Sequence, residues 1–324
     1  PRLPEKPTGR NIMATADFKD RLLAALGGPW PEPCELKAEE TESQAGDGYR
    51  LIRLSYEVEP GDRVPALLLI PDSASKTKPA PGICVWHQHA GQWHLGKSEP
   101  AGLKGDPHHF TAVALAKEGY VVLCPDALGF EEREQGYRHR GGNLERFLFL
   151  KYVVEGKSMA WKNILDMRRA VDYLAGRPEV NADALGCYGH SMGSTHAWLV
   201  GPWETRLKAV VGNCCLPTYA AIHRVQLLHC FPNFVPGLYA YGDTPDIAAL
   251  IAPRALHLNF GEKDAGSPIE EVRTAMTTIR RAYEAQHAED QFTWYIEEGA
   301  GHVLSPEMWK HVKRTFDHHL KGVD

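Results

Sequence analysis

Three residues whose types could together cleave an ester or amide bond follow three separate apolar runs of the sequence: Ser191, Asp264 and His302. Ser191 stands in the pattern Gly-x-Ser-x-Gly at residues 189–193. A serine on a sharp turn from strand to helix presents its hydroxyl above the sheet, and the flanking glycines leave room for the neighbouring backbone. The five-residue pattern is weak by itself because Gly and Ser are common. Its meaning therefore depends on partners elsewhere in the chain.

A serine hydroxyl needs a base to act as a nucleophile, usually a histidine that a carboxylate orients. Asp264 follows the apolar run 255–260, and His302 follows the alternating run 291–296. In a parallel sheet both positions fall at the carboxyl ends of strands, where such sheets carry their functional loops. Glu262 is the nearest alternative to Asp264 as the carboxylate that orients the histidine. A turn-forming aspartate or a lone histidine is ordinary, but the three groups in this order rarely coincide, so they predict a catalytic triad.

The same chemistry needs donors for the oxyanion that forms when the serine attacks a carbonyl. The backbone N–H of Met192, the residue after the serine, is one candidate. The loop after the apolar run 82–86 should supply the other, with His89 as first choice and Gln88 as the alternative. Gln88, Trp93 and Trp203 are further candidates for contact with substrate, although aromatic loop residues are as often simple packing.

The elements that must position these residues alternate between strand and helix from about residue 82 onward. Short continuous apolar runs are typical of strands buried on both faces. The alternation predicts an α/β fold with a mostly parallel central sheet of about eight strands and helices on both faces. Residues 51–58 and 64–70, joined by a short turn, predict an antiparallel hairpin before it.

Residues 1–45 carry prolines, charges and one helical run at 18–26. They are interpreted as an N-terminal extension, with residues 46–324 as the catalytic domain. Met13 is a candidate natural start, which would make residues 1–12 a remnant of cloning. Removal of an export signal from the chain is left open.

Composition excludes several function classes. The net charge of −5 and the pI near 6.4 give no support for binding to nucleic acid or to a membrane surface. No apolar run reaches the roughly 18–20 residues of a membrane span. Seven scattered cysteines favour a reducing compartment, so a cytoplasmic location is expected.

No cofactor is expected, because no glycine-rich nucleotide motif accompanies a suitable strand. A histidine-rich region shows no zinc-binding pattern, so no metal is expected either. It comprises His87, His89, His94, His108 and His109. A mixed charge run, interpreted as a solvated face, comprises Glu131, Glu132, Arg133, Arg138 and Arg140. Asp126 is expected to brace the loop after its strand.

Over roughly residues 50–320 the chain resembles the α/β-hydrolases of the dienelactone-hydrolase and acetyl-xylan-esterase-like group. The motifs that carry the resemblance are His87-Gln88, residues 125–129, the turn around Ser191, residues 252–254, residues 261–264 and Gly301-His302. The resemblance implies hydrolysis of carboxylic esters through an acyl-serine intermediate. Dienelactone hydrolases proper use a cysteine where this chain has Ser191, which argues against dienelactone as substrate. Many relatives have His-Gly in place of His87-Gln88.

The sequence thus favours a serine carboxylesterase for small or medium acyl esters, acetyl esters among them. One alternative is a peptidase resembling the catalytic domain of prolyl oligopeptidases, although no propeller repeat is present. Another is a non-catalytic ligand-binding protein with the hydrolase fold. Whether the chain forms a homo-oligomer is left open.

Overall fold

The computed structural model describes residues 15–323. Residues 1–12, with the hypothesis that they are a cloning remnant, lie outside the described residues. The strands are β1 (Glu39–Ala45), β2 (Tyr49–Glu59), β3 (Asp62–Pro71), β4 (Ala80–Trp86), β5 (Val121–Pro125), β6 (Val180–His190), β7 (Leu207–Asn213), β8 (Ala255–Gly261) and β9 (Phe292–Glu297). The helices are α1 (Thr15–Leu26), α2 (Thr111–Lys117), α3 (Gly141–Val154), α4 (Met159–Ala175), α5 (Met192–Val200), α6 (Tyr219–Val225), α7 (Thr244–Ala249), α8 (Ile269–Glu284) and α9 (Pro306–Phe316).

The nine strands of the described residues form one sheet in the order β1-β2-β3-β5-β4-β6-β7-β8-β9. Neighbours from β1 to β5 pair antiparallel, and those from β5 to β9 pair parallel. The carboxyl ends of β4 to β9 therefore meet at one edge of the sheet, where parallel sheets carry their functional loops. This α/β-hydrolase fold confirms the prediction from the sequence.

The two faces of the sheet have separate hydrophobic cores. Along β6, Leu185 and Cys187 belong to one core, whereas Ala184 and Tyr188 belong to the other. Successive side chains of a strand point to opposite faces, so an apolar run serves both cores. Helices α4, α5, α7 and α8 cover the first face, and α2 and α9 cover the second.

The N-terminal segment is attached to this body in two ways. Phe18, Leu22 and Leu26 of α1 are buried in the first core. Strand β1 pairs antiparallel with β2 at the edge of the sheet, although all seven of its residues are exposed. The expected boundary at residue 45 therefore falls between two paired strands. Strand β1 was not predicted, because Glu39–Ala45 has no buried face and so no alternating apolar pattern.

The predicted hairpin is formed by β2 and β3. Ser305 caps α9, since its hydroxyl accepts a hydrogen bond from the Met308 N–H. No helix of the described residues has the length and apolar character needed to cross a membrane.

Candidate active site

Ser191 lies on a strained turn between β6 and α5. Its φ of 57° and ψ of −120° are unusual for a residue with a side chain, and such a conformation costs on the order of 1–3 kcal/mol. The Ser191 N–H donates to the carbonyl of Asn213, which helps to hold the turn. A Cβ atom on Gly189 would lie 2.0 Å from Gly193, and one on Gly193 would lie 2.0 Å from the Trp86 carbonyl oxygen. The two glycines therefore allow β4, β6 and α5 to meet closely beneath the serine.

The three groups expected to react together are in hydrogen-bond contact. His302 Nε2 lies 2.8 Å from Ser191 Oγ, and His302 Nδ1 lies 2.8 Å from Asp264 Oδ2. With the proton on Nδ1, the ring donates to Asp264 and accepts from the serine hydroxyl. Ser191 and Asp264 are buried, whereas the His302 side chain is 37% exposed. The His302 imidazole is thus held on one side by the buried Asp264 and is open to solvent on the other, where a substrate would enter.

Asp264 is the carboxylate that the structure brings to the histidine. Its second oxygen, Oδ1, accepts from the Gly266 N–H at 2.8 Å. The rival Glu262 instead accepts from the Gly299 N–H at 2.9 Å, on the exposed side of the same loop. The turn after β8 therefore directs the two acids away from each other.

Two further histidines surround His302. The His190 ring lies between His109 and His302, with ring centroids 4.9 and 5.3 Å away, and accepts from Asn213 Nδ2. Burial lowers the pKa of His190 well below its ordinary value, and His302 lowers it further. Burial likewise lowers the pKa of His229 to about 4. Both rings stay neutral at pH 7, so neither places a positive charge beside an imidazolium formed at His302.

The loop after β4 lies beside the start of α5. Trp86 pairs with Gly189 across the parallel strands, so residues 87–89 leave the sheet next to the serine turn. Among residues 15–323, the backbone N–H groups of Met192 and His89 donate to no acceptor. Free N–H groups at a helix start and in an adjacent loop are suited to binding a developing negative charge.

The side chains expected to contact substrate have different surroundings. Gln88 Nε2 donates to Glu99 Oε2 at 2.7 Å, so this side chain points into the loop that precedes α2. The Trp93 ring lies edge-on to His89, with centroids 5.0 Å apart, and its Nε1 donates to Glu145. Trp93 therefore packs against His89 within the same loop.

Trp203 is not at this site, contrary to the expectation from the sequence. It follows the C-terminal end of α5, whereas Ser191 precedes the N-terminal end. There its ring packs edge-on against Trp30, with centroids 4.9 Å apart, and below the Lys19 ammonium. Trp203 is half-buried against the first core, so its place in a loop did not reveal at which end of α5 it lies.

The charge run at 131–140 is not simply a solvated face. Arg133 is buried and pairs with Asp166, with Nη1 2.6 Å from Oδ2. Lys97, which is 1% exposed, pairs with Glu131 and with Asp126 Oδ2 at 2.7 Å. Asp126 also accepts from the Lys97 N–H, so it braces the loop after β4. Buried charges need such partners, which sequence composition does not reveal.

The histidine-rich region does not form a metal-binding cluster within the described part of the chain. No three His, Cys, Asp or Glu side chains there are gathered to hold an ion. His87 bonds to the loops around it, with Nδ1 near the Gln88 carbonyl and Nε2 accepting from the Ala127 N–H. The seven cysteines are free thiols.

Three residues near the site had no signal in the sequence: Glu145, His190 and His229. Glu145 lies in α3, a helix that was not predicted from the sequence. It is hydrogen-bonded to His89, which is 56 residues away along the chain. A high hydrophobic content in 141–154 could have indicated that helix, but not which of its charged residues turns inward.

Comparison with known proteins shows the family to which the chain belongs. The sequence profile described as "Dienelactone hydrolase family" matches residues 64–308. A protein of Bacillus subtilis (strain 168), "Putative hydrolase YtaP", is 30% identical over 290 residues, which cover 87% of this chain and 91% of that protein. The chain belongs to the dienelactone hydrolase family.

Solved structures of similar fold extend the comparison. A "putative acetyl xylan esterase" from Bacteroides fragilis NCTC 9343 has a TM-score of 0.70 at 18% identity, covering 87% of this chain and 74% of that chain. A glucuronoyl esterase from Solibacter usitatus has a TM-score of 0.65 at 15% identity, covering 95% and 92%. At these identities the likeness establishes a shared fold.

Proposed function

We propose that this member of the family is a serine carboxylesterase that acts through an acyl-serine intermediate. The observation that carries the proposal is the bridging position of His302, 2.8 Å from both Ser191 Oγ and Asp264 Oδ2. No rearrangement is needed for proton transfer between the serine and the imidazole, since the two atoms are already at hydrogen-bond distance.

The reaction proceeds in two steps. Ser191 Oγ attacks the ester carbonyl while its proton passes to His302 Nε2, and Asp264 stabilises the resulting imidazolium. The N–H groups of Met192 and His89 stabilise the oxyanion, and His302 returns the proton to the leaving alcohol. Water, deprotonated by His302, then attacks the acyl-serine; the bond between the acyl carbon and Ser191 Oγ breaks, His302 returns the proton to Oγ, and the acid is released. Loss of one oxyanion donor typically lowers the rate by about 100- to 1000-fold.

Small acyl esters are the proposed substrates, with acetyl esters as the first choice. The names of the structural neighbours, acetyl xylan esterase and glucuronoyl esterase, support carboxylic esters as the substrate class. The serine nucleophile, where dienelactone hydrolases proper use a cysteine, argues against a dienelactone as the substrate.

The decisive measurement is hydrolysis of p-nitrophenyl acetate by the unmodified chain and by Ser191→Ala. We expect the variant to lose activity by about 10⁴-fold or more and to keep its melting temperature. Ser194→Ala is the matched control, because this buried serine is three residues away and donates to the Cys215 carbonyl instead of facing His302. Activity that survives in Ser191→Ala would overturn the proposal.

A fluorophosphonate probe tests the same proposal without a substrate. Labelling at Ser191 is expected in the unmodified chain and in Ser194→Ala; absence of labelling would favour a non-catalytic ligand-binding protein. Faster cleavage of aminoacyl p-nitroanilides than of acetyl esters would favour a peptidase. A series of esters from acetyl to octanoyl then measures the preferred acyl length.

A further inference from the structure

Glu145 is a buried carboxylate beside the candidate active site that the reaction above does not use. It lies on α3, and its side chain is 3% exposed. Its Oε2 accepts from His89 Nε2 at 2.8 Å and from Trp93 Nε1 at 3.1 Å. Both donors belong to the loop after β4, so a single oxygen atom of α3 holds that loop at two points.

The loop needs such support because its backbone is unusual. Ala90 and Gly91 have consecutive positive φ angles of 46° and 68°. The Gly91 N–H donates to His89 Nδ1 at 3.0 Å. Since Nδ1 accepts this bond, the neutral His89 ring carries its proton on Nε2 and donates it to Glu145. Both ring nitrogens are thus engaged, one by the loop itself and one by α3.

The helix that provides the carboxylate is itself well anchored. Leu144 and Leu148 of α3 are buried in a small apolar cluster. Phe149 stacks on Phe231, with ring centroids 4.8 Å apart. The N-terminal end of α3 is tied down by the Gly141 N–H, which donates to Glu134. Glu145 is therefore presented to the loop from a fixed element.

The second oxygen of Glu145, Oε1, has no hydrogen-bond partner among the described residues. A buried carboxylate with one unsatisfied oxygen costs free energy, and an apolar side chain of similar volume would pack α3 without that cost. Stabilisation of the fold alone is thus a poor explanation for a glutamate here. A requirement for an acceptor at Oε2 explains it better.

We infer that Glu145 is a positioning residue, which holds His89 so that the His89 backbone N–H faces the oxyanion formed at Ser191. The inference rests on the proposed function, because it assigns the second oxyanion donor of that reaction. Because the His89 ring is bonded to Glu145 at Nε2 and to the Gly91 N–H at Nδ1, it ties the backbone of residues 89–91 to α3 and restrains the peptide that bears the His89 N–H. Tilting of this peptide would weaken binding of the transition state more than binding of the ester itself.

The first test replaces the carboxylate in two ways. Glu145→Gln keeps an oxygen that can accept from both His89 and Trp93, and we expect kcat for p-nitrophenyl acetate to stay within about threefold. Glu145→Leu removes the acceptor, and we expect kcat to fall roughly 10- to 100-fold with KM nearly unchanged, because the donor is displaced and not deleted. An unchanged kcat in Glu145→Leu, or an equal loss in both variants, would overturn the inference.

A reversible trifluoromethyl ketone separates positioning from general destabilisation. Ser191 Oγ adds to the ketone carbonyl, its proton moves to His302, and the hemiketal oxyanion occupies the same donors. We expect the inhibition constant in Glu145→Leu to rise by the factor by which kcat/KM falls.

Glu204→Leu is the control, because Glu204 is equally buried and pairs with Arg206 beyond the far end of α5. It should lower the melting temperature and leave ketone affinity unchanged; a matching loss of affinity in this control would contradict a specific role for Glu145.

His89→Leu provides an independent variant should Glu145→Leu fail to fold. It removes the donor to Glu145 and keeps the backbone N–H, so the same loss of kcat and of ketone affinity is expected. Full activity in His89→Leu would overturn the inference. Failure of the proposed function would look different, because Ser191→Ala would then remain active and the unmodified chain would not bind the ketone.

Discussion

The two ends of α5 show how one helix serves chemistry at one terminus and stability at the other. At its N-terminal end the Met192 N–H has no acceptor among the described residues, and the strained Ser191 faces the half-exposed His302. At its C-terminal end the Val200 carbonyl accepts from the Trp203 and Glu204 N–H groups, and just beyond the helix Arg254 donates to the carbonyls of Gly201, Glu204 and Leu207 at 2.6 to 3.1 Å. Backbone groups are thus left free at one end and satisfied at the other.

This difference has a physical reason. Every helix leaves unpaired N–H groups at its start and unpaired carbonyls at its end. The free N–H groups can bind a transient anion, whereas buried carbonyls without donors only destabilise the fold. Changes at the N-terminal end should therefore alter rate, and changes at the C-terminal end should alter stability.

The largest effect is expected from Asp264→Asn at the N-terminal end. An amide at this position can donate to His302 Nδ1 and favour the tautomer that cannot accept the serine proton, so kcat should fall by about 10⁴-fold. Glu262→Gln is the matched control in the same loop and should change kcat by less than about twofold. Steady-state hydrolysis of p-nitrophenyl acetate checks both. Equal losses in the two variants would show that the loop, and not the Asp264 carboxylate, matters.

A smaller effect is expected from Trp203→Ala at the C-terminal end. Loss of the contacts with Trp30 and Lys19 should lower the free energy of unfolding by roughly 2–4 kcal/mol. The kcat and KM of the folded variant should not change, since Trp203 lies a helix length from Ser191. Urea unfolding and ester hydrolysis measure the two quantities. A raised KM with unchanged stability would instead place Trp203 in contact with substrate and break the comparison.

The smallest effect concerns His196, which lies between the two ends. Burial lowers the pKa of His196 in the folded protein to about 3, whereas in the unfolded chain its pKa is near 6.5. Between these two values of pH the unfolded chain takes up a proton at His196 and the folded protein does not. The free energy of unfolding should therefore fall as the pH falls from 6.5, and His196 should contribute at most about 2 kcal/mol by pH 5. Urea unfolding at pH 7 and pH 5 checks this.

His196→Gln should reduce that pH-dependent loss by the same amount. The exposed His94 provides the control, because His94→Gln should leave the difference between pH 7 and pH 5 as it is. An undiminished loss in His196→Gln would show that His196 does not carry the effect.

The parts of the fold that could be predicted are those with a pattern along the chain. The buried runs that became β4 to β8 are continuous and apolar, and α4 has an apolar face at helical spacing. Strand β1 could not be found because Glu39–Ala45 is exposed throughout and is defined only by its pairing with β2. The buried pairing of Arg133 with Asp166 was also hidden, because the residues are 33 positions apart and each alone is typical of a surface.

By itself the sequence determined the order of Ser191, Asp264 and His302 and their places after apolar runs, because short-range patterns specify where strands end. Only the tertiary structure decided that Glu145 meets His89 and that Trp203 faces away, since both depend on which way a helix points after the chain turns. The distance between His302 and its two partners is likewise a product of three loops meeting at one edge of the sheet. Local pattern specifies the elements; packing of distant elements specifies the contacts between them.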